Sequence, residues 1–302
     1  NIVKWKFAYS TETSPEQLES VYLATEIAGC DLRTLLSEET RKSQQIFSLI
    51  DFKRMISDLL RALKYLNSAK VIHRDLKPDN FAINSGRKLT LLDFGIARVI
   101  NFDKMTREPG MKFYRAFETY AFGPENDIDP VVVYNEKADM WSIGAILYEM
   151  LTGDILFEAE HPLLKAIEIC GKIPDAMLDK IKHESSREYL RKESENAKRI
   201  DFIKRLATEG RGRSWLKEEI KANAKDLANF FDRTLVFDPG DRLTVDEALQ
   251  HTFLHEVRHF DREVPATHSI FDVPDSTLEE WKQLIWRAIH DNPISIDTVP
   301  IR

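Results

Sequence analysis

The chain has 302 residues, 43% hydrophobic and 31% charged, which is enough for one large domain or two small ones. A net charge of −7 and a pI near 5.7 argue against nucleic acid or an anionic membrane as the main partner. Two cysteines, Cys30 and Cys170, exclude a disulfide framework and suit a reducing compartment, and no signal peptide or membrane-spanning run is read.

Taken in chain order, Ile2 to Tyr9 and Val21 to Ile27 alternate and are rich in β formers. With turn-forming residues Thr11 to Gln17 between them, they predict two paired strands. Ile46, Leu49, Ile56, Leu59, Leu60, Leu63 and Leu66 recur at helical spacing and predict an amphipathic helix. Ala82-Ile83 and Leu89 to Leu92 flank Asn84-Ser85-Gly86, a hairpin pattern that would place Asn80 and Asp93 side by side. Tyr120 to Asn135, with Pro124 and Pro130, reads as a surface loop. Lys137 to Thr152 is apolar nearly all round, as a central buried helix should be, and Gly153 is its stop. Pro174 to Leu235 reads as helical and highly charged, with Gly210-Arg211-Gly212 as a loop. Ser276 and Glu279 form a capping-box pattern ahead of Leu278, Trp281, Ile285 and Ile289 on one helix face.

The chemistry concentrates in His73-Arg74-Asp75-Leu76-Lys77-Pro78-Asp79-Asn80 and in Asp93-Phe94-Gly95, thirteen residues further on. Phosphoryl transfer asks little covalent help of a protein; it needs a positioned nucleophile and neutralised charge on the transferring group. Asp75 can orient or deprotonate a substrate hydroxyl, Lys77 can steady a γ-phosphate, and Asn80 and Asp93 offer hard oxygen ligands to Mg²⁺. His-Arg-Asp, an Asn five residues beyond the Asp, and then Asp-Phe-Gly is a highly specific constellation, and on it the chain resembles the eukaryotic protein kinases. Lys77, two residues after Asp75, is similar to the serine/threonine branch.

The resemblance implies an α+β fold, with a mainly helical large lobe over 29–255, a truncated β small lobe and hinge over 1–28, and a C-terminal extension over 256–302. It places Thr25 at the gatekeeper position and gives Glu26 and Ala28 hinge contacts to the adenine of ATP. Asp139 would brace the catalytic-loop backbone, and Glu118 would pair with Arg242. The segment after Gly95 is similar to the activation segment of MAP kinases, closest to the stress-activated branch. There Thr106 matches a phosphorylatable threonine and Glu108 stands where the family has tyrosine. Arg74 and Arg98 would receive the phosphate. Asp261 and Glu263 match what remains of an acidic docking patch.

The family's Gly-rich loop, strand lysine and helix glutamate are not found ahead of the hinge, Gly29 being the first glycine. Met111 and Phe117 replace a threonine and a proline. Two readings stay open on these residues, beside a more remote third, an enzyme of another phosphoryl-transfer class. One is a proline-directed serine/threonine kinase using ATP and Mg²⁺, monomeric, cytoplasmic and nuclear, with protein substrates and an upstream activating kinase. The other is a binding protein of kinase fold with little or no turnover.

Overall fold

The computed structural model describes residues 1–42, 44–99, 112–121, 135–181, 183–208, 213–267 and 277–290. The chain divides into two units, Asn1 with Gly29–Ile270, and Ile2–Ala28 with Phe271–Arg302. In order, the elements are β1 (Trp5–Tyr9), β2 (Tyr22–Thr25), β3 (Cys30–Asp31), α1 (Leu32–Lys42), α2 (Leu49–Ser68), β4 (Val71–Ile72), β5 (Phe81–Ile83), β6 (Leu89–Leu91), β7 (Arg98–Val99), α3 (Phe117–Ala121) and α4 (Lys137–Thr152). There follow α5 (Pro162–Cys170), α6 (Asp175–Leu178), α7 (Glu184–Ser194), α8 (Phe202–Thr208), α9 (Lys217–Ala222), α10 (Ala224–Thr234), α11 (Val245–Leu249) and α12 (Leu278–His290).

In the smaller unit β1 and β2 pair antiparallel, Phe7 opposite Ala24 and Tyr9 opposite Tyr22, whose rings stack at 4.9 Å. The first strand begins at Trp5 rather than Ile2, and Asn1 belongs to the larger unit. Its carbonyl accepts the Leu91 N–H at 2.7 Å, and its side-chain amide donates to the Leu89 carbonyl. The α12 helix opens one residue later than the sequence pattern suggests. Thr277 and Glu280 form the capping box, each side chain bonded to the other's backbone N–H, while Ser276 lies outside the described residues. Lys282 and Gln283 tie α12 to Glu16 in the turn between the strands.

The larger unit is built around two helices. Ser48 caps α2 with Asp51 in a capping box, and Phe52, Met55, Ile56, Leu59, Leu60 and Leu63 line the core. Every residue of α4 from Ala138 to Thr152 is buried, and the helix ends on Gly153 at φ +83°, a conformation glycine takes without strain. Gly144, inside α4, lets α10 approach closely: a Cβ there would lie 2.7 Å from Thr234 Oγ1. Phe117, standing where the resembled family has proline, is accommodated by packing. Its ring meets Phe237 edge-on at 4.5 Å, beside the stacked pair Trp141 and Phe157. The β3–β5–β6 sheet and the β4–β7 pair flank the loop that carries the chemistry.

Candidate active site

Strand β4 delivers the chain into residues 73–80, and a turn of 3₁₀ helix, Pro78–Asn80, leads out into the β5–β6 hairpin. Asp75 sits between two donors: Lys77 Nζ lies 2.6 Å from its Oδ2, and Asn80 Nδ2 lies 3.0 Å from the same oxygen. Asn80 is buried and also donates to the Asp75 carbonyl at 2.8 Å, so its amide oxygen is turned away from Asp75. The hairpin pairs Phe81 with Leu91 and Ile83 with Leu89, and the Leu92 N–H closes its open end on the Asn80 carbonyl at 2.8 Å. Asn80 and Leu92, the residue before Asp93, are thereby fastened together. Asp93 itself is exposed, held at φ +56°, and accepts the Gly95 N–H at 3.1 Å.

The loop is fixed from below by Asp139 on α4. Its two carboxylate oxygens accept the His73 N–H at 3.0 Å and the Arg74 N–H at 2.9 Å, which holds Arg74 at φ +70°. Burial pushes the Asp139 carboxyl above its ordinary range, while His73 and the backbone donors pull it down. His73 accepts the Asp75 N–H on Nδ1, bonds the Leu92 carbonyl through Nε2 at 3.0 Å, and meets Phe94 edge-on at 5.1 Å. One imidazole therefore links the Asp75 loop to the Asp93 turn.

Glu118 and Arg242, 124 residues apart, form a fully buried bidentate pair with both bonds at 2.9 Å. Arg98 lies opposite Ile72 in the β4–β7 ladder, and Arg74 Nε donates to the Ile96 carbonyl. Thr106, Glu108 and Met111 fall outside the described residues, as do residues 122–134 of the loop read over Tyr120 to Asn135, whose first two residues belong to α3. In the smaller unit Thr25 lies opposite Trp5, the Glu26 N–H is taken up by the Lys4 carbonyl, and Ala28 ends the unit's first segment. At the acidic patch only Asp261 faces solvent. Glu263 turns inward, accepting from Arg258 at 2.7 Å and from Lys64 at 3.3 Å.

Sequence reading missed a network beside Asn80, in which Arg33, Tyr114 and Glu149 join Asp79. The signal available was Glu149, with Asp139 one of two acidic residues in a buried helix.

Asn80 and Asp93 supply one amide oxygen and one carboxylate, and among the described residues no cluster of three or more His, Cys, Asp or Glu could hold a metal unaided. That donor set fits Mg²⁺, which takes few protein ligands and completes its shell with phosphate oxygens.

The sequence profile of the protein kinase domain matches residues 1–254. Mitogen-activated protein kinase pmk-3 of Caenorhabditis elegans is 32% identical over 289 residues, covering 92% of this chain and 57% of that protein. Mitogen-activated protein kinase pmk-1 of the same organism is 31% identical, covering 96% of this chain and 71% of that protein. Mitogen-activated protein kinase 12 of Mus musculus is 32% identical, covering 96% and 72%. The chain thus spans little more than half of the first of these relatives and under three quarters of the other two.

Proposed function

Since the chain belongs to the protein kinase family and, within it, to the mitogen-activated protein kinases, we propose that it is of the stress-activated branch and transfers the γ-phosphoryl group of ATP to serine or threonine, preceding proline, in intracellular stress signalling. The observation that carries this reading is the Asp75 carboxylate held between Lys77 and Asn80, with Asn80 bonded across the hairpin beside Asp93. Asp75 takes or orients the proton of the acceptor hydroxyl. Lys77, released toward the nucleotide, steadies the γ-phosphate. Asn80 and Asp93 hold Mg²⁺, which when bound neutralises charge on the phosphate oxygens. Thr25, Glu26 and Ala28 are assigned to the adenine, and Thr106 to the activating phosphorylation by an upstream kinase. Arg74 and Arg98 receive that phosphate, and the carboxylate of Glu108 stands in part for a second one. Asp261 carries the remaining docking charge. A monomer working in cytoplasm and nucleus completes the reading.

A second reading, a binding protein of kinase fold, is favoured by Met111, Phe117 and Glu108, which stand where the family has threonine, proline and tyrosine. Phosphorylation of a Ser-Pro protein by the complete protein carrying these residues separates the two readings. The kinase reading expects transfer that Asp75→Asn reduces by about 10²–10⁴-fold. No transfer from the unaltered protein, or transfer that Asp75→Asn leaves intact, rejects it.

A further inference from the structure

Of the twelve prolines in the chain, only Pro15 follows a serine or threonine, so within these 302 residues Ser14-Pro15 alone carries the acceptor pair assigned to the substrate. The pair lies between β1 and β2, outside the ladder that joins them. Ser14 is extended, at φ −148° and ψ 157°, as a residue ahead of proline prefers, and Pro15 opens a single 3₁₀ turn, Pro15–Gln17. Two backbone bonds hold that turn, from the Gln17 N–H to the Ser14 carbonyl and from the Leu18 N–H to the Pro15 carbonyl, both at 3.2 Å. Ser14 is half-buried, while Thr13, Glu16 and Gln17 around it are exposed. Presenting Ser14 to an active site therefore disturbs little beyond the turn itself.

The same turn carries α12. Lys282 Nζ donates to the Glu16 carbonyl at 3.0 Å, and Gln283 Nε2 donates to Glu16 Oε1 at 3.1 Å. The Glu16 carboxylate is held below its ordinary range by its own backbone N–H and, after that, by the Ser14 hydroxyl. A phosphate on Ser14 removes this donor hydroxyl and sets about 1.5 to 2 negative charges beside the Glu16 carboxylate. The single positive charge of Lys282 does not offset that repulsion, so Glu16 is driven from Gln283.

Resting on the kinase reading, we propose that Ser14 is a phosphoacceptor for this protein's own activity, and that its phosphate releases α12 from the turn between β1 and β2. In the transfer, Ser14 Oγ forms a bond to the γ-phosphorus of ATP and the bond from that phosphorus to the bridging oxygen breaks. ADP leaves with that oxygen, and the hydroxyl proton passes to Asp75.

The complete protein is incubated with ATP, Mg²⁺ and a synthetic peptide holding one Ser-Pro, and the phosphate is mapped by tandem mass spectrometry. Ser14 and the peptide are both expected to be labelled. Asp75→Asn should label neither detectably, and Pro15→Ala should carry about tenfold less phosphate on Ser14. Amide exchange over residues 278–290 should run faster in the phosphorylated protein than before ATP is added, and ATP should leave it unchanged in Ser14→Ala. A labelled peptide beside an unmodified Ser14 overturns the inference and leaves the kinase reading standing, as does Ser14 labelled equally in Pro15→Ala. Exchange over α12 that slows or stays the same when Ser14 is phosphorylated overturns the release. No label on either the peptide or Ser14 overturns both the inference and the kinase reading.

Discussion

His251 shows how a single buried group writes a pH dependence into the larger unit. Its Nδ1 accepts the Phe253 N–H, its Nε2 bonds Asn229 Oδ1 at 2.8 Å, and its ring meets Phe230 edge-on. A protonated ring could not accept from Phe253. Burial, and after it the Arg233 charge, lowers the His251 pKa from 6.5, with Asp226 opposing. The folded chain thus refuses a proton that the unfolded chain accepts, so stability is expected to hold at neutral pH and to fall as pH drops below 6.5. Thermal unfolding midpoints against pH check this, and His251→Gln should flatten that part of the curve. At this scale the sequence was most readable where a motif fixes a partner. Asp139 bonds the catalytic-loop backbone and Glu118 bonds Arg242, the partners that the family resemblance implied. It was least readable where side chains meet across long separations: nothing near Arg33 signals Glu149, 116 residues away.

Between elements, the close approach of α4 and α10 rests on Gly144. An added methyl would meet Thr234 Oγ1 at 2.7 Å and Leu235 Cδ2 at 2.8 Å, so the helices must part or the side chains turn. Gly144→Ala is expected to cost about 1–3 kcal/mol despite alanine's better helix propensity, measured as a lower urea midpoint. The element pattern was legible because periodicity marks faces. The helix read over Lys137 to Thr152 is found with those bounds, and the hairpin around Asn84 lies where its turn residues put it. Boundaries moved where a better local partner existed. Thr277 caps α12 with Glu280, and α2 starts after Ser48 rather than at Ile46.

For the molecule as a whole, the buried Glu118–Arg242 pair joins parts of the chain that no local signal connects. Arg242 also donates to the carbonyls of Lys137 and Val236, so it stitches the start of α4 to the segment after α10. Arg242→Met would leave a buried carboxylate without its cation and is expected to cost about 3–5 kcal/mol, a large part of a domain's stability. The double variant with Glu118→Gln should recover part of that loss in the same urea experiment, and equal losses would mean the pair is not the source. The smaller unit, Ile2–Ala28 with Phe271–Arg302, combines β1, β2 and α12 from opposite ends of the chain.

Glu149 gathers contacts from distant parts of the chain. Its side chain is reached by Arg33 and Tyr114, and its backbone carbonyl accepts the Arg213 Nη1 at 2.8 Å and the Gly153 N–H. Three remote stretches must converge before this carboxylate finds its counterions, so the junction sets late in folding and admits no half-assembled form. In pulse-labelled refolding, the amides around it should become shielded from exchange in one step, after those of α2.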